Sequence, residues 1–569
     1  MQHSKPTGTD RRSFLKGAAL VGAGVAATGL VAACTPSSSG DGETGGSSTT
    51  GGGSTSSGGW SWETPPEPIT DIANTVDADL VIVGAGMAGI NVASAAAANG
   101  MKVVVVERTD SYVVRGADNA AINSKYHTAN GIVFDKAQIL KELSQWPRMQ
   151  NDLNLVKLWV YRSGEVFDDL IDLAAEHGLK PIAGMGNVGG LENEELFYRQ
   201  YPTSISFVPD DMNEPAMMLE DGRWVNNLLG DVLLNQAQEN GAEFAFNFLA
   251  EQLVKDGARV SGVIAKAEDG TYTQFNATKG VVLCTGDISG NPEMLEAWAP
   301  IALRADPTEY VPPGVNDGSG MKMALWAGAA VQRGPAAPMI HAVGDGTLLG
   351  VSWLSVNRLG KRFVNELYHE VSTSNSRLAQ PGGVAWYILD SDYAEKITKV
   401  VGADSPALGR YLPADEAKLQ EMMDAGKLWK ADTLEDLAAQ IGIEDVETFL
   451  ATVSHYNDLC AAGQDTDFLK PAKQMDSAIL KAPFYARWVP AVPLVVIYGL
   501  NCTDQLQVCD AEDNPIEGLY AAGNMCGNYF VDDYPMLCPG QSHGRTITTG
   551  RLLGTSLATG EKITVDMSA

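Results

Sequence analysis

The sequence predicts an α/β fold that opens with a βαβ dinucleotide-binding unit, and three features of residues 77–108 carry that prediction. A β-branched run over residues 80–83 leads into the glycine pattern GAGMAG at 84–89, which is followed by a helix of small residues. A second apolar strand over residues 103–106 ends on an acid, Glu107. A glycine pattern alone is common, but flanking strands and a terminal acid are typical of dinucleotide-binding domains.

Each glycine of this pattern has an expected task. Gly84 allows the tight turn, and Gly86 lets backbone amides approach a pyrophosphate at the positive end of the helix. Gly89 lets the helix pack closely against the strand. Glu107 is placed to accept hydrogen bonds from a ribose diol.

Composition limits the class of protein. The chain has 569 residues, of which 45% are hydrophobic and 19% charged, enough for two or three globular domains. Its net charge is -30 and its pI is about 4.5. An acidic surface repels phosphate backbones, so nucleic-acid binding is not expected.

The N-terminus has the pattern of a targeting signal. Residues 11–16, RRSFLK, match the twin-arginine export pattern, and residues 17–33 are too weakly apolar to predict a membrane span. The sequence VAAC at 31–34 predicts a lipoprotein signal over residues 1–34, with Cys34 lipidated; an ordinary signal with a chance cysteine is the alternative. Residues 35–76, rich in Ser, Gly and Thr through residue 59, form a tether. We therefore expect a lipid-anchored protein on the outer face of the cytoplasmic membrane.

Seven cysteines occur without a CxxC or CxxCH pattern, so neither a haem, an iron–sulfur cluster nor another metal site is expected. Cys502 and Cys509 could form a disulfide, although scattered thiols are the favoured interpretation. Because no second redox centre is visible and free NAD(P)H stays in the cytoplasm, electrons are expected from a partner.

Four further segments support a family resemblance. Residues 280–287, GVVLCTGD, and 518–524, GLYAAGN, predict strands that end in tight turns, and 316–320, NDGSG, precede an apolar helix over 321–329. Residues 356–366 read VNRLGKRFVNE. Together with the βαβ unit, residues 77–558 resemble the fumarate reductase and succinate dehydrogenase flavoprotein superfamily. Its soluble branch includes flavocytochrome c fumarate reductases, urocanate reductases and 3-ketosteroid dehydrogenases.

The resemblance implies a Rossmann-like FAD-binding domain interrupted by an α+β capping domain. The FAD-binding domain would comprise residues 77–339 and 491–569, and the cap residues 340–490. A mobile cap would exclude water and position the substrate against flavin N5. No histidine stands out as a covalent attachment point, so noncovalent FAD is expected.

The resemblance also implies the FAD contacts. Residues 540–543 open the last helix, whose N-terminus would stabilise the negative charge of reduced flavin. Arg545 and Arg551, on the same helix, are expected to be structural or flavin-side charges. The expected contacts are Gly84, Gly86, Gly89, Glu107, Arg108, Gly116, Ala117, Asp118, Ile122, Asn123, Gly286, Asn524, Gly540, Gln541, Ser542 and His543.

The substrate site departs from the fumarate reductase pattern. Those enzymes use an arginine acid, a clamp histidine and a clamp arginine. This chain has Glu370 at the acid's position, with Arg377 as the nearest downstream arginine. It has no histidine near 501–502 and no arginine in 529–540. Fumarate is therefore not the expected substrate.

Tyr534-Pro535 instead resembles the Tyr-Pro…Gly arrangement of ketosteroid dehydrogenases, although two extra residues separate it from the last helix. Tyr534 is either a proton donor or a packed loop tyrosine. His341, His369, His543 and Glu370 are the other candidate acids.

These features predict an exported FAD-dependent reductase of an activated C=C bond in a small organic acceptor. Hydride would come from flavin N5, and the proton from Tyr534 or a neighbouring acid. A membrane quinol dehydrogenase or a separate cytochrome c would supply electrons. The alternatives are a ketosteroid-type flavin dehydrogenase and a flavin electron-relay protein.

Overall fold

The computed structural model describes residues 59–187, 200–307, 310–312, 314–341, 346–349, 351–367, 370–403 and 408–567. The predicted signal with Cys34, the tether through residue 58, His369 and the side chain of Glu370 lie outside the described residues. No helix in these ranges is long and apolar enough to cross a membrane.

The strands, in chain order, are β1 (Asn74–Val83), β2 (Val103–Val106), β3 (Asn119–Ala120), β4 (Leu179–Ala183), β5 (Ser204–Pro209), β6 (Glu243–Ala245), β7 (Phe248–Asp256), β8 (Arg259–Ala267), β9 (Tyr272–Leu283), β10 (Ala337–His341), β11 (Leu354–Asn357), β12 (Ala385–Leu389), β13 (Leu428–Ala431), β14 (Phe484–Trp488), β15 (Val492–Ile497), β16 (Gln507–Cys509) and β17 (Pro515–Ala521).

The α-helices are α1 (Met87–Ala98), α2 (Lys125–Ala129), α3 (Lys136–Gln145), α4 (Leu153–Glu176), α5 (Asn226–Glu239), α6 (Pro292–Trp298), α7 (Ser319–Trp326), α8 (Glu370–Leu378), α9 (Tyr393–Val401), α10 (Leu408–Tyr411), α11 (Glu416–Asp424), α12 (Leu434–Gln440), α13 (Val446–Ala462) and α14 (Gln541–Thr559).

The predicted βαβ unit is confirmed and forms the centre of a mixed sheet with the order β16-β17-β9-β1-β2-β6; β8 pairs with β9, and β7 with β8. β1 runs parallel to β2 and β9, and β9 parallel to β17. Val83 pairs with Val106 on one side and with Leu283 on the other, and Leu283 pairs with Ala521. Four strands therefore end level, so their following turns meet at one edge of the sheet.

The predicted helix over residues 321–329 is wrong at both ends. It begins at Ser319, whose N–H donates to the Asp317 carboxylate at 3.0 Å, and ends at Trp326. Asp317 satisfies a backbone donor that the first turn leaves without a helical partner. Gly328 has φ +100, a left-handed conformation that a continuing helix does not allow.

A second region is built on the antiparallel sheet β11-β12-β14-β13. Successive residues of β12 point to opposite faces. Trp386 and Ile388 enter one hydrophobic core, and Ala385, Tyr387 and Leu389 enter another. The chain enters and leaves this region through the antiparallel pair β10 and β15. The predicted cap limits of 340–490 remain a prediction.

A buried ion network holds the segment 362–366 in this region. Arg362 Nη2 lies 2.8 Å from Glu366 Oε2, and Arg362 Nη1 donates to Asp465 at 3.0 Å. Lys470 Nζ lies 3.6 Å from Glu366, and the Arg362 guanidinium lies over the Tyr456 ring at 5.1 Å. Burial opposes the ionised form of Asp465, but the hydrogen bonds from Arg362 and backbone amides lower its pKa to about 2.

We expect Arg362→Met to lower the free energy of unfolding by about 3 kcal/mol, because Glu366 and Asp465 would stay buried with only Lys470 as counter-charge. Urea unfolding followed by circular dichroism measures the loss. Arg358→Met is the control, since the side chains of Arg358 and Glu444 are 43% and 47% exposed and such pairs contribute about 1 kcal/mol or less. Equal losses in both variants would contradict a role for the buried network.

Candidate active site

The level ends of the parallel strands open onto a cavity of about 510 Å³. Its wall includes the residue that directly follows each strand: Gly84 after β1, Glu107 after β2, Cys284 after β9 and Ala522 after β17. Ligands of open α/β sheets bind at this carboxyl edge. The cavity continues past β10 and β15 to residues of the second region, such as Leu349 and Tyr411.

The turn between β1 and α1 can accommodate a dinucleotide because glycines stand at the points where two backbone segments come into contact. Gly84 has φ +102, and a Cβ there would lie 2.6 Å from the carbonyl oxygen of Cys284. A Cβ on Gly89 would overlap the carbonyl oxygen of Gly84, so α1 can pack here only on a glycine. The backbone at the N-terminus of α1 therefore faces the cavity as an anion-binding edge.

Glu107 is held at the rim of the cavity by backbone donors. Its Oε2 accepts from Ala85 N at 2.7 Å, and its Oε1 accepts from Thr109 N at 3.0 Å. Arg108, also in the wall, pairs with Asp317 at 3.0 Å. This fixed carboxylate can accept hydrogen bonds from a ribose, as predicted from the sequence.

At the other end of the cavity, the loop 116–118 packs against the start of α14. Gly116 has φ +76, and a Cβ there would lie 2.9 Å from His543 Cε1. His543 Nδ1 donates to the carbonyl of Asp118 at 3.1 Å, and burial lowers the pKa of His543, which favours a neutral imidazole. The Asp118 carboxylate accepts from Ser204 Oγ at 2.6 Å and from Gly186 N at 3.2 Å. The N-terminus of α14 is thereby fixed against this loop.

Most of the residues predicted to bind the cofactor line this cavity. They are Gly84, Gly86, Glu107, Arg108, Gly116, Ala117, Asp118, Gly286, Asn524, Gly540, Ser542 and His543.

Four predicted contacts lie outside the described wall. Gly89 contributes by letting α1 pack closely against the carbonyl of Gly84. The Asn123 side chain bonds both to Phe134 N, at 2.7 Å, and to Phe134 O, at 2.9 Å. Ile122 and Gln541 are buried next to the wall rather than in it.

Sequence reasoning missed several wall residues. Asp287 accepts from Asn316 Nδ2 at 2.9 Å, and both residues line the cavity. Each lies beside a glycine motif, which is the signal that could have found them. Tyr310 and Met339 lie in the wall without any local motif.

Tyr534 also lines the cavity and is 3% exposed. Its phenolic oxygen accepts from Ser542 N at 3.3 Å, at the N-terminus of α14. Burial raises the pKa of Tyr534 to about 12, and the Ser542 hydrogen bond opposes that rise. His341, at the end of β10, also lines the cavity. The carboxylate of the neighbouring Asp533 accepts a hydrogen bond from Trp146 Nε1 at 2.9 Å.

The wall of the cavity as a whole exposes more apolar than polar surface. It carries methionines from separate segments, and Leu349, Tyr411, Leu494 and Val495 also line it. Unbranched thioether side chains adapt to irregular apolar ligands. The methionines are Met87, Met185, Met217, Met339 and Met536.

The described wall offers no pair of free cations. Arg108 is paired with Asp317, and Arg115 donates to the carbonyl of Tyr310 at 3.1 Å. Arg377 is buried outside this wall, where it binds Asp306 at 2.6 and 3.2 Å. Asn501, near the expected clamp histidine position, donates to Asp513 at 2.8 Å. A dicarboxylate would therefore lack a counter-charge for each of its two carboxylates among the described residues.

Comparison with known proteins identifies the family. A model described as an FAD binding domain matches residues 79–532. The chain belongs to the FAD-binding domain family. It is an FAD-dependent oxidoreductase, and the glycine turns, the fixed Glu107 and the N-terminus of α14 fit this cofactor.

The relatives include reductases and dehydrogenases. A probable fumarate reductase of Shewanella frigidimarina is 27% identical over 492 residues, which cover 84% of this chain and 74% of that protein. A vinyl phenol reductase of Lactiplantibacillus plantarum is 27% identical over 515 residues, covering 84% and 95%. The open conformation of a flavocytochrome c3 fumarate reductase superposes with a TM-score of 0.61 and 25% identity, covering 86% and 79%.

We expect Gly286→Ala to reduce the FAD content of the purified protein. Gly286 has φ +86, and a Cβ there would overlap Asn316 Oδ1, whose side chain is held by Asp287. Gly100→Ala is the control, because Gly100 has φ +83 but nothing within 4 Å of a Cβ. Both variants carry the same left-handed backbone cost of about 1 kcal/mol. Flavin absorbance per protein measures the outcome, and equal FAD contents would contradict the assignment of this turn.

Proposed function

We propose that this chain is an extracytoplasmic FAD-dependent reductase of an activated C=C bond in a small, uncharged organic acceptor. The observation that carries the proposal is the composition of the cavity wall. A phenol bonded to the N-terminus of α14 lines the same cavity as five methionines and other apolar side chains. This combination suits an apolar substrate that needs one proton at a fixed point.

The overall reaction adds a hydride and a proton across the double bond. When bound, FAD supplies the hydride. Tyr534 would donate the proton to the α-carbon or to the carbonyl oxygen. The phenolate left behind is stabilised by the Ser542 N–H and by the positive end of α14. Two electrons from a partner then restore the reduced cofactor.

The apolar wall serves this reaction by excluding water. An enolate that forms in a dry site takes its proton from the positioned donor rather than from solvent. Met339 and Leu494, on the strands that lead into and out of the second region, form part of that wall. Closure of this region over the substrate would complete the exclusion.

The names of the relatives support the reaction type more than the substrate. Fumarate carries two carboxylates, which the described wall does not neutralise. Vinyl phenol is uncharged and aromatic and fits the methionine-lined cavity better. The same site run in the opposite direction would be a ketosteroid-type dehydrogenase, which Tyr534-Pro535 favours as the second candidate.

The location and the electron donor are part of the proposal. The twin-arginine pattern and the VAAC sequence support export and lipidation at Cys34. Electrons would come from a membrane quinol dehydrogenase or a separate cytochrome c. The N-terminal peptide mass of the membrane-bound protein tests this location: an unmodified Cys34 would contradict it.

The acceptor is tested by reducing the full FAD-loaded chain without oxygen and following flavin reoxidation as compounds are added. Cinnamate and its methyl ester form a matched pair that differs in one charge. We expect reoxidation at least tenfold faster with the uncharged member of such pairs, because a mostly apolar wall, in which Arg108 is already paired, makes burial of a carboxylate costly. Fumarate, urocanate, enones and ketosteroids complete the panel. Faster reoxidation by fumarate than by every neutral compound would overturn the proposal.

We expect Tyr534→Phe to lower turnover by about 10² or more while FAD stays bound, because the positioned proton is lost. Tyr529→Phe is the control, since Tyr529 packs in the same aromatic cluster but outside the described wall. With a pKa of about 12, the phenol stays protonated, so the wild-type rate should not fall between about pH 8 and 10. Unchanged turnover of Tyr534→Phe would favour another acid, or an electron relay.

A further inference from the structure

Arg545 is a buried cation one turn inside α14. It is 2% exposed, and its guanidinium lies over the rings of Tyr529, at 5.1 Å, and Phe530, at 4.9 Å. Nη2 donates to Asn524 Oδ1 at 2.8 Å, and Nη1 donates to the carbonyl of Cys526 at 3.4 Å. Nε has no hydrogen-bond partner, and within the described residues no carboxylate lies within ion-pair distance of Arg545. Its charge is therefore left without a direct counter-ion.

Asp287 is a buried carboxyl group in the cavity wall, 2% exposed; burial raises its pKa, and hydrogen bonds from Ser289 and Val496 together with the charge of Arg115 oppose that rise. Its carboxylate accepts from Ser289 N at 2.8 Å and from Val496 N at 3.3 Å. The other two donors are the side-chain amides of Asn316, at 2.9 Å, and Asn524, at 3.3 Å. In the described part of the chain, no lysine or arginine lies within ion-pair distance of this carboxylate; Arg115 is the cation that acts on it from further away.

Asn524 stands between the two charges and is itself in the wall. Its Oδ1 accepts from Arg545 and its Nδ2 donates to Asp287, so the two charges together fix which way the amide points. A direct ion pair would neutralise both groups. The intervening amide instead keeps a positive and a negative charge apart beside the cavity.

Charges in this setting act over a distance. Burial removes the water that would screen them, and effective interactions are stronger than at a surface. Reduction of FAD adds negative charge to the occupant of the cavity. A fixed cation beside the cavity therefore favours the reduced form, and a fixed anion favours the oxidised form.

We propose that Arg545 and Asp287 set the midpoint potential of bound FAD in opposite directions, with Asn524 preventing their direct pairing. Arg545 and Asp287 act here as positioning and electrostatic residues, since neither is required to touch the substrate. The inference depends on FAD binding but not on the acceptor or on Tyr534. It can therefore fail or hold independently of the proposed function.

The test is the midpoint potential of FAD in the purified, FAD-loaded full chain, measured by anaerobic spectroelectrochemistry at one pH. Arg545→Met should make the potential more negative, and Asp287→Asn should make it more positive. A tenfold change in the relative affinity for reduced and oxidised FAD corresponds to about 30 mV for two electrons. Arg545→Lys, which keeps the charge, should stay near wild type. Shifts of the same sign in the two neutralising variants, or no shift in either, overturn the proposal.

Two further variants separate the effect of the Arg545 charge from a general disturbance of α14 or of FAD binding. Arg551→Met removes a partly buried arginine from the same helix, six residues later, where its Nη1 lies 3.5 Å from Ser94 Oγ rather than beside Asn524. It should leave the potential unchanged, and a shift as large as that of Arg545→Met counts against the proposal. If Arg545→Met does not retain FAD, the potential is measured on Arg545→Gln instead, because the glutamine amide can still donate to Asn524. A potential equal to that of wild type in Arg545→Gln then overturns the assignment.

Discussion

The structure depends on how closely two backbone turns approach at the carboxyl edge of the parallel sheet. The position that a side chain would take at Gly84 is filled by the carbonyl of Cys284, and the position at Gly89 by the carbonyl of Gly84. Because β1, β2, β9 and β17 end at one level, these turns form a wall of backbone groups rather than side chains. Such a wall can lie against a pyrophosphate and direct helix α1 at it. The cavity, the cofactor and the placement of every later segment follow from this approach.

What the sequence predicts well is what is local in it. The strand, glycine turn, helix and terminal acid of residues 77–108 lie within one βαβ unit, so their spacing alone indicates their geometry. Asp287, Asn316 and Asn524 meet only because β9 pairs with β17 and because the turn before α7 folds back; the first pairing joins Asp287 to Asn524, 237 positions away, and the second joins it to Asn316, 29 positions away. Tyr310 and Met339 reach the wall from segments without any motif. Long-range pairing of this kind leaves no periodic signal in one sequence.

Arg377 is a single charged residue whose long-range partner could likewise not be predicted from the sequence. From its position after residues 356–366 it could replace the missing arginine acid only if the loop between them is longer. In the fold it is bound bidentately by Asp306, which also accepts from Ala491 N at 2.7 Å, and it stacks over Trp488 at 5.2 Å. A guanidinium with that partner is already neutralised, and removing it from Asp306 would leave a partly buried carboxylate without its counter-charge. The partner lies 71 positions earlier in the chain, so the local sequence around Arg377 does not indicate this pairing.

The start of α14 positions both the proton donor Tyr534 and the charged side chain of Arg545. Gly540 has φ +80, which lets the chain turn directly into the helix, and the helix then places Ser542 N at Tyr534 and the Arg545 side chain at Asn524. Each residue of a helix is rotated by about 100° from the last. A start shifted by one residue would therefore turn Arg545 away from Asn524 and move the backbone donor away from the phenol together. Proton donation at Tyr534 and the charge that acts on the cofactor are thus coupled through one backbone conformation, although they lie on different side chains and serve different steps.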